Sequence, residues 1–127
     1  MTHTFRYSRD ERLPVEVLVF RVAPEHVSEF LSVDHQVWTL GEALLDGFER
    51  IPFVSKEVWL DDSQPGEITL IFVWESMEAW MRVGAEDVQR ILQARFDAAF
   101  AYPVDLVRAL HEDSNFGIHR FSRFDRT

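Results

Sequence analysis

Charged residues interrupt the apolar faces of two predicted helices. When residues 25–45 are placed at steps of about 100°, Asp34 falls inside an apolar sector and His35 lies at the edge of that sector. In the helix predicted for residues 85–101, Arg95 lies within an apolar stripe. The sector consists of Val27, Phe30, Leu31, Val37, Trp38, Leu44 and Leu45, and the stripe consists of Val88, Ile91, Leu92, Phe96 and Ala99. Each helix is therefore expected to direct one charge towards the rest of the fold.

Two interpretations of these charges are open at this point. A lone buried carboxylate or guanidinium is costly, so Asp34 and Arg95 could form a buried ion pair, or Arg95 could extend to solvent. In the functional interpretation, the charges form a polar cluster at the floor of an apolar pocket. Asp34 or His35 would then accept a proton, and Arg95 would hold an anionic or enolate oxygen. An open pocket faced by Asp34 or His35 would favour this second interpretation.

Aromatic side chains form the second group of candidate site residues. They make up 13% of the chain, and flat rings stack well on aromatic substrates. Each one is more often a core residue, but four tryptophans in 127 residues raise the chance that at least one contacts a ligand. The candidate ligand-binding residues are Trp38, Trp59, Phe72, Trp74, Trp80 and Phe96.

Composition argues against several classes of function. The chain has 13 Lys and Arg residues against 22 Asp and Glu residues, and its net charge of −9 repels phosphate backbones and anionic lipids. Nucleic acid and membranes are therefore not expected partners. The absence of cysteine excludes a thiolate nucleophile and a cysteine metal site. No apolar run is long enough to span a bilayer and no signal-peptide core is recognisable, so a cytoplasmic location is expected.

Metal and nucleotide chemistry also lack support in the sequence. The five histidines are scattered without helical i,i+4 spacing, so no metal site is predicted. There is no phosphate loop, no dinucleotide-binding fingerprint and no GxSxG motif. The histidines are His3, His26, His35, His111 and His119.

Hydrophobic patterning predicts the elements that position these residues. The segment KEVWLDDSQPGEITLIFVWES predicts two strands joined by a turn, because runs of β-favouring residues flank Asp, Ser, Pro and Gly. Glutamates on the strands, including Glu16, are expected to form salt bridges at the rim, with Lys56 as one partner. The predicted strands cover residues 15–22, 54–60, 68–74 and 104–110, and the predicted helices cover 24–45 and 85–101, with a short helical segment after Ser76.

This order of elements predicts an α+β, ferredoxin-like βαββαβ domain, with a four-stranded antiparallel sheet and both helices on one face. The strand at 68–74 is apolar on both of its faces, whereas a sheet with one open face usually alternates. A second copy of the sheet is therefore expected to cover the open face. The domain is assigned to residues 15–111, with an N-terminal arm at 1–14 and a C-terminal tail at 112–127. Both ends interleave aromatic residues with arginine and are expected to dock on the acidic body or on a partner subunit.

The element order and two segments resemble a known superfamily. VEVLVFRVAPEHVSEFLSVDHQVWTL and KEVWLDDSQPGEITLIFVWES are similar to the dimeric α/β-barrel proteins typified by antibiotic biosynthesis monooxygenases, and more closely to a small uncharacterised bacterial branch of that group. The resemblance covers about residues 15–111. It implies a homodimer in which two sheets pair back to back.

The resemblance also implies an aromatic-lined pocket that works without metal or flavin, in which an activated, phenolate-like substrate reduces oxygen. The asparagine and tyrosine pattern of those monooxygenases is not recognisable in this chain. The ligand histidine of haem-degrading relatives is also missing from the helix at 85–101.

Two hypotheses about function result. The first is a cofactor-independent oxidation or isomerisation of a small aromatic or polyketide-like molecule by a homodimer. In this hypothesis the polar catalytic residues are Asp34, His35 and Arg95, and the pocket is lined by Trp38, Trp59, Phe72, Trp74 and Phe96. The second hypothesis is a non-catalytic ligand-binding or interaction module whose charges are structural.

Overall fold

An antiparallel sheet forms the centre of the fold in the computed structural model, which describes residues 12–110 and 117–123. The strands are β1 (Leu13–Arg21), β2 (Phe53–Leu60), β3 (Glu67–Trp74), β4 (Asp105–Ala109) and β5 (His119–Arg120). Four of them lie in the spatial order β2-β3-β1-β4, and β5 pairs with the start of β1. All of these pairs are antiparallel. The order confirms the predicted ferredoxin-like α+β fold.

Helices connect the strands. A continuous helical run at residues 24–43, called the first helix below, begins with a 3-10 turn at Pro24–His26. It continues as α1 (Val27–Val33), a π-helical stretch (Asp34–Thr39) and α2 (Leu40–Ala43). Two further helices, α3 (Met77–Val83) and α4 (Glu86–Ala99), lie between β3 and β4. In the described part of the chain, no helix has the length and apolar composition needed to cross a membrane.

Parts of both predicted tails lie outside the described residues. These parts are residues 1–11, 111–116 and 124–127, which include His3, His111 and most of the arginine and aromatic residues of the N-terminal arm. The described part of the C-terminal tail contains β5, so this segment adds a short strand to the sheet.

One face of β3 lies under the helices. Its alternate residues from Ile68 to Trp74 are buried and belong to the same core cluster as Phe30, Trp80 and Phe96. The Phe30 and Phe96 rings pack edge to face with centroids 5.7 Å apart. Full burial of one such side chain stabilises the fold by roughly 1.5–3 kcal/mol. The first helix, α3 and α4 therefore share one face of the sheet, as predicted.

The π-helical stretch changes which residues of the first helix face the sheet. Leu40 N–H donates to His35 O, an i→i+5 hydrogen bond. A turn closed in this way holds more than 3.6 residues, so each residue rotates the helix by less than in an α-helix. Because of this smaller rotation, the end of the first helix directs Glu42 inwards and Leu44 outwards. Glu42 is 6% exposed and Leu44 is 73% exposed. The predicted sector is right for Phe30 and Asp34, which are buried, and wrong for Leu44.

The buried side of α4 differs from the predicted stripe. Leu92 and Phe96 are buried, and so is Phe100 just after the helix, which gives a spacing of four residues. Ile91 is half exposed and Arg95 is exposed, because both lie to one side of this series. The prediction that Arg95 is directed towards the sheet is therefore wrong.

The opposite face of the sheet carries a second apolar surface. Val17 pairs with Ile71 across β1 and β3, and Trp59 pairs with Thr69 across β2 and β3. On this face Val73 is buried within the single chain, whereas Trp59 is 57% exposed. An exposed indole beside an apolar sheet face is consistent with a second subunit. The structure contains one chain, so the homodimer stays a prediction.

We expect the protein to sediment as a dimer, and Trp59→Glu to weaken that dimer at least tenfold, because the substitution places a charge on the open sheet face. Analytical ultracentrifugation over a concentration series measures this dissociation constant. Leu44→Glu is the matched control, because Leu44 is also an exposed apolar residue but belongs to the helix layer. A wild-type protein that sediments as a monomer throughout the series would contradict the prediction.

Candidate functional site

A cavity of about 500 Å³ lies between the sheet and the helix layer. Its walls come from β1, β3, the first helix, α4, β4 and the segment that precedes β4. The volume falls within the range of sites for small organic ligands. The aromatic wall residues are Phe20, Phe30, Trp38, Phe72, Phe96, Phe100 and Tyr102, and the polar ones are Glu16, Asp34, Glu42, Gln89, Gln93 and Asp97.

Four of the predicted site residues line this cavity. They are Asp34, Trp38, Phe72 and Phe96. His35 and Arg95 are exposed on their helices and do not line it. Trp59 lies on the opposite face of the sheet. Trp74 is buried in the core, where its ring stacks on Phe72 and Trp80.

Asp34 forms a buried ion pair with Lys56 of β2. Lys56 Nζ lies 2.6 Å from Asp34 Oδ2 and donates a second hydrogen bond of 2.6 Å to Thr39 Oγ1. The same ammonium lies 4.9 Å from the centre of the Phe72 ring, a favourable cation–π distance. Burial raises the pKa of Asp34, and the charge of Lys56 opposes this rise. The predicted pair of Asp34 with Arg95 is wrong, because Lys56 reaches the first helix while α4 directs Arg95 to solvent.

Glu16 reaches the cavity from the sheet. It is the cross-strand partner of Phe72 and lines the cavity beside it. Trp74 Nε1 donates to Glu16 Oε1 at 3.2 Å. Burial raises the pKa of Glu16 to about 7, although that hydrogen bond and the charge of Lys56 both act to lower it. Glu16 therefore exchanges its proton near neutral pH.

Glu42 faces the same cavity from α2. Gln89 Nε2 of α4 donates to Glu42 Oε2 at 3.4 Å. Burial, followed by the negative charge of Glu16, raises the pKa of Glu42 to about 8. Because the charge of one carboxylate disfavours ionisation of the other, Glu16 and Glu42 are expected to titrate as a pair. We call them the carboxyl pair, and near neutral pH the pair holds about one proton.

A smaller cavity of about 240 Å³ adjoins the carboxyl pair. Glu16, Glu42 and Gln89 line both cavities, and Trp74 and Trp80 are among the residues that line only the smaller one. The three shared residues therefore form a polar partition between two spaces. Within residues 12–110 and 117–123, no group of three or more His, Asp or Glu side chains is placed to hold a metal ion.

Three site residues, Glu16, Glu42 and Lys56, are missed by the sequence-based interpretation. Glu16 and Lys56 are expected at the rim, but Glu16 alternates with Leu18 and Phe20 on the core side of β1. This alternation is a signal that could have placed Glu16 inside the fold. Glu42 gives a weaker signal, because regular α-helical steps place it only at the edge of the apolar sector, between Leu31 and His35.

Solved structures of other proteins share this fold. A candidate antibiotic biosynthesis monooxygenase from Caulobacter crescentus CB15 superposes with a TM-score of 0.52 at 16% identity, over 78% of this chain and 89% of that chain. SnoaB, a cofactor-independent oxygenase from Streptomyces nogalater, gives a TM-score of 0.51 at 21% identity, over 76% and 92%. No protein-family model and no curated protein sequence matches the chain. The likeness establishes the fold: this chain has the ferredoxin-like fold of the antibiotic biosynthesis monooxygenases.

We expect the free energy of unfolding to fall as the pH rises from about 4.5 to about 8. The pKa values of Glu16 and Glu42 are higher in the folded chain than in the unfolded chain, so the folded state binds more protons in this window. Their stabilisation is complete below the unfolded value of 4.5 and is lost as the pH passes about 7 and about 8. Each group contributes a slope of up to about 1.4 kcal/mol per pH unit. Urea unfolding at a series of pH values measures the profile.

Glu42→Gln tests whether the Glu42 carboxyl is a source of this pH dependence of the free energy of unfolding. The amide stays neutral, so the profile should flatten and the variant should be more stable than wild type above pH 8. Glu29→Gln is the control, because Glu29 is exposed on α1 and should leave the profile unchanged. If the free energy of unfolding of Glu42→Gln fell with pH as steeply as that of the wild type, the Glu42 carboxyl would not be the source of the pH dependence.

Lys56→Met should reduce the free energy of unfolding by about 3–5 kcal/mol at neutral pH, because it leaves the Asp34 carboxylate buried without its partner. Adding Asp34→Asn should recover a large part of that loss, and a double-mutant cycle by urea unfolding measures the coupling. Arg21→Met provides a comparison, because the 3.2 Å Arg21–Glu67 pair is largely exposed and should contribute less than about 1 kcal/mol. Strictly additive effects of the two substitutions at the buried pair would be incompatible with this prediction.

Proposed function

We propose that the larger cavity binds a small planar aromatic molecule and that Glu16 removes a proton from it, as the first step of a cofactor-independent oxidation or isomerisation. One observation carries the proposal: the Glu16 carboxyl lies in the wall of an aromatic-lined cavity and has a pKa of about 7. A general base is most effective when its pKa lies near the pH at which it works. Perturbed carboxyls in a cavity are also frequent markers of active sites.

The carboxyl pair supports a division of roles. Glu16 has the lower pKa and is the proton acceptor. Glu42 keeps its proton at neutral pH and can donate a hydrogen bond to an oxygen of the substrate that gains negative charge. Gln89 holds Glu42 in position, because its Nε2 also donates to Val83 O at 3.0 Å. The two carboxyl groups thus perform opposite tasks: Glu16 accepts a proton and Glu42 donates a hydrogen bond.

The aromatic walls serve the same reaction. Phe30 and Phe96 are packed edge to face in the core and also line the cavity, so these walls are held by the fold itself. Ring faces stack on a flat substrate and exclude water from its reacting carbon. A carbanion or enolate that forms there is therefore protected from being protonated by solvent.

The proposed oxidation requires only the protein, the substrate and O2. Removal of a proton from an activated CH2 group leaves an enolate, which transfers electrons to O2. One oxygen atom forms a new C=O bond at that carbon, and the other leaves as water with the two hydrogens of the CH2 group. Without O2, return of the proton to a different carbon gives an isomerisation. No metal or organic cofactor enters either reaction as proposed.

The remaining predicted residues take smaller parts in this proposal. Asp34 is held by Lys56 and shapes the charge of the cavity, whereas His35 and Arg95 have no role because they do not line it. SnoaB, which shares the fold, is a cofactor-independent oxygenase, and this supports the type of reaction. We also propose that the protein works as a homodimer in the cytoplasm, with the exposed indole of Trp59 at the subunit interface.

We expect the protein to accelerate the oxidation of anthrone by O2 to anthraquinone and water. Anthrone is flat and has an acidic CH2 group, so it matches both the walls and the base. Oxygen consumption and anthraquinone absorbance measure the rate. Glu16→Gln should lower the rate about a hundredfold, since general bases typically contribute that much or more. The wild-type rate should rise with pH through about 7.

Glu29→Gln is again the control, because Glu29 is exposed and does not line the cavity, so its removal should leave the rate unchanged. Quenching of tryptophan fluorescence reports whether anthrone binds. Binding without any acceleration over buffer would contradict the catalytic proposal and favour the alternative of a ligand-binding module.

A further inference from the structure

We propose that the natural ligand of the larger cavity is an aromatic molecule that carries a positive charge, such as an ammonium group. This inference rests on the proposed function, because it names the class of substrate for the same cavity. Three observations support it: the charge of the walls, the unpaired oxygens of two buried carboxyls, and the ring faces beside them.

The walls of the cavity carry an excess of acidic side chains. The acidic wall residues are Glu16, Asp34, Glu42 and Asp97, whereas no Lys, Arg or His in the described part of the chain lines the cavity. The nearby ammonium of Lys56 is bound to Asp34 and Thr39. A neutral or anionic ligand would leave the other carboxyls without a counter-charge, and a cation would provide one.

Two of these carboxyls have an oxygen that accepts no hydrogen bond. Among residues 12–110 and 117–123, Asp34 is contacted only at Oδ2, by Lys56, and Glu42 only at Oε2, by Gln89. Asp34 is 4% exposed and Glu42 is 6% exposed, and both line the cavity. These oxygens are therefore open to the cavity, and an ammonium group offers three N–H donors that could bind them. The second oxygens of Asp34 and Glu42 are therefore suited to receive it.

Ring faces in the same walls favour an organic cation. Trp38, Phe72 and Phe96 line the cavity together with the carboxyls. Aromatic faces attract ammonium groups through their quadrupole, and Lys56 already uses Phe72 in this way at 4.9 Å. A small hydrated metal ion gains little from apolar walls, whereas an aromatic amine uses both the rings and the carboxyls.

Binding of a cation should also change the protonation of the carboxyl pair. A positive charge nearby favours the ionised form of Glu16, whose pKa is about 7, so part of a proton should leave the protein when the ligand binds, while Glu42 with its higher pKa keeps its proton. Other polar and charged groups lie around the cavity on the surrounding elements. They are Asp34 of the first helix, Lys56 of β2, Gln89 and Asp97 of α4, and Tyr102 ahead of β4.

Three probes of similar shape and different charge test the inference. They are naphthylmethylamine, which is cationic at pH 7, naphthylmethanol, which is neutral, and naphthoate, which is anionic. Isothermal titration calorimetry with the full-length protein gives their dissociation constants. We expect the amine to bind at least tenfold more tightly than the alcohol, and naphthoate to bind most weakly. Titrations in buffers with different heats of ionisation should show proton release with the amine and none with the alcohol.

Two substitutions locate the charge preference in the cavity. Asp97→Asn, which removes a carboxylate from the cavity side of α4, should bring the affinity for the amine to within about threefold of that for the alcohol, while the affinity for the alcohol changes much less. If this variant does not fold, Glu16→Gln on β1 should reduce the same preference. Glu29→Gln removes an equal charge from the exposed surface of α1 and should keep the preference.

The outcomes separate this inference from the proposed function. Equal affinities for the amine and the alcohol would overturn the inference and leave a neutral aromatic substrate for the same reaction. An equal loss of preference in Glu29→Gln would also overturn it, because general attraction to an acidic protein would then explain the binding. Failure of all three probes to bind would overturn the inference and the aromatic-cavity proposal together.

Discussion

The ion pair between Lys56 and Asp34 neutralises one of the acidic groups in the cavity wall. It joins an edge strand to the first helix, and it occupies the ammonium that lies beside the cavity. The charge of Lys56 lowers the pKa of Glu16 and Glu42 only in part, so burial keeps both values well above the ordinary range. Buried ion pairs stabilise a fold less than well-packed apolar side chains do. The pair is therefore better explained by the acid–base character of the cavity than by stability.

The cavity is a part of the hydrophobic core that side chains leave unfilled. Phe30, Phe72 and Phe96 belong to the core cluster and also line the cavity, so one set of rings performs both tasks. Such walls cannot move without disturbing the core, because protein interiors are closely packed. A site of this kind is preorganised: the ligand meets side chains whose positions are fixed by folding. Preorganisation lowers the entropic cost of binding and of charge stabilisation.

Local patterns were sufficient for the fold and for part of the site. The strands follow from runs of β-favouring residues, and Asp34 was found because the helix before it has regular geometry. Arg95 was misplaced because the apolar residues of α4 allow two neighbouring stripes, and only packing against the sheet selects the one that contains Phe96. The partner of Asp34 could not be predicted, because it depends on how β2 and the first helix meet in three dimensions. The burial of Glu42 could not be predicted with certainty, because it results from a change of helix type that the sequence pattern does not indicate.

The π-helical stretch has an evolutionary consequence. Such a stretch can be regarded as an α-helix that has absorbed one inserted residue by widening a turn. A relative that lacked the extra residue would still present Glu42 to the sheet, because the seven remaining steps from Asp34 make about two turns of a regular α-helix. One such change in the length of this helix would therefore leave the acidic wall in place. In this fold, the π-helical stretch separates the length of the first helix from the chemistry of its ligand-facing side.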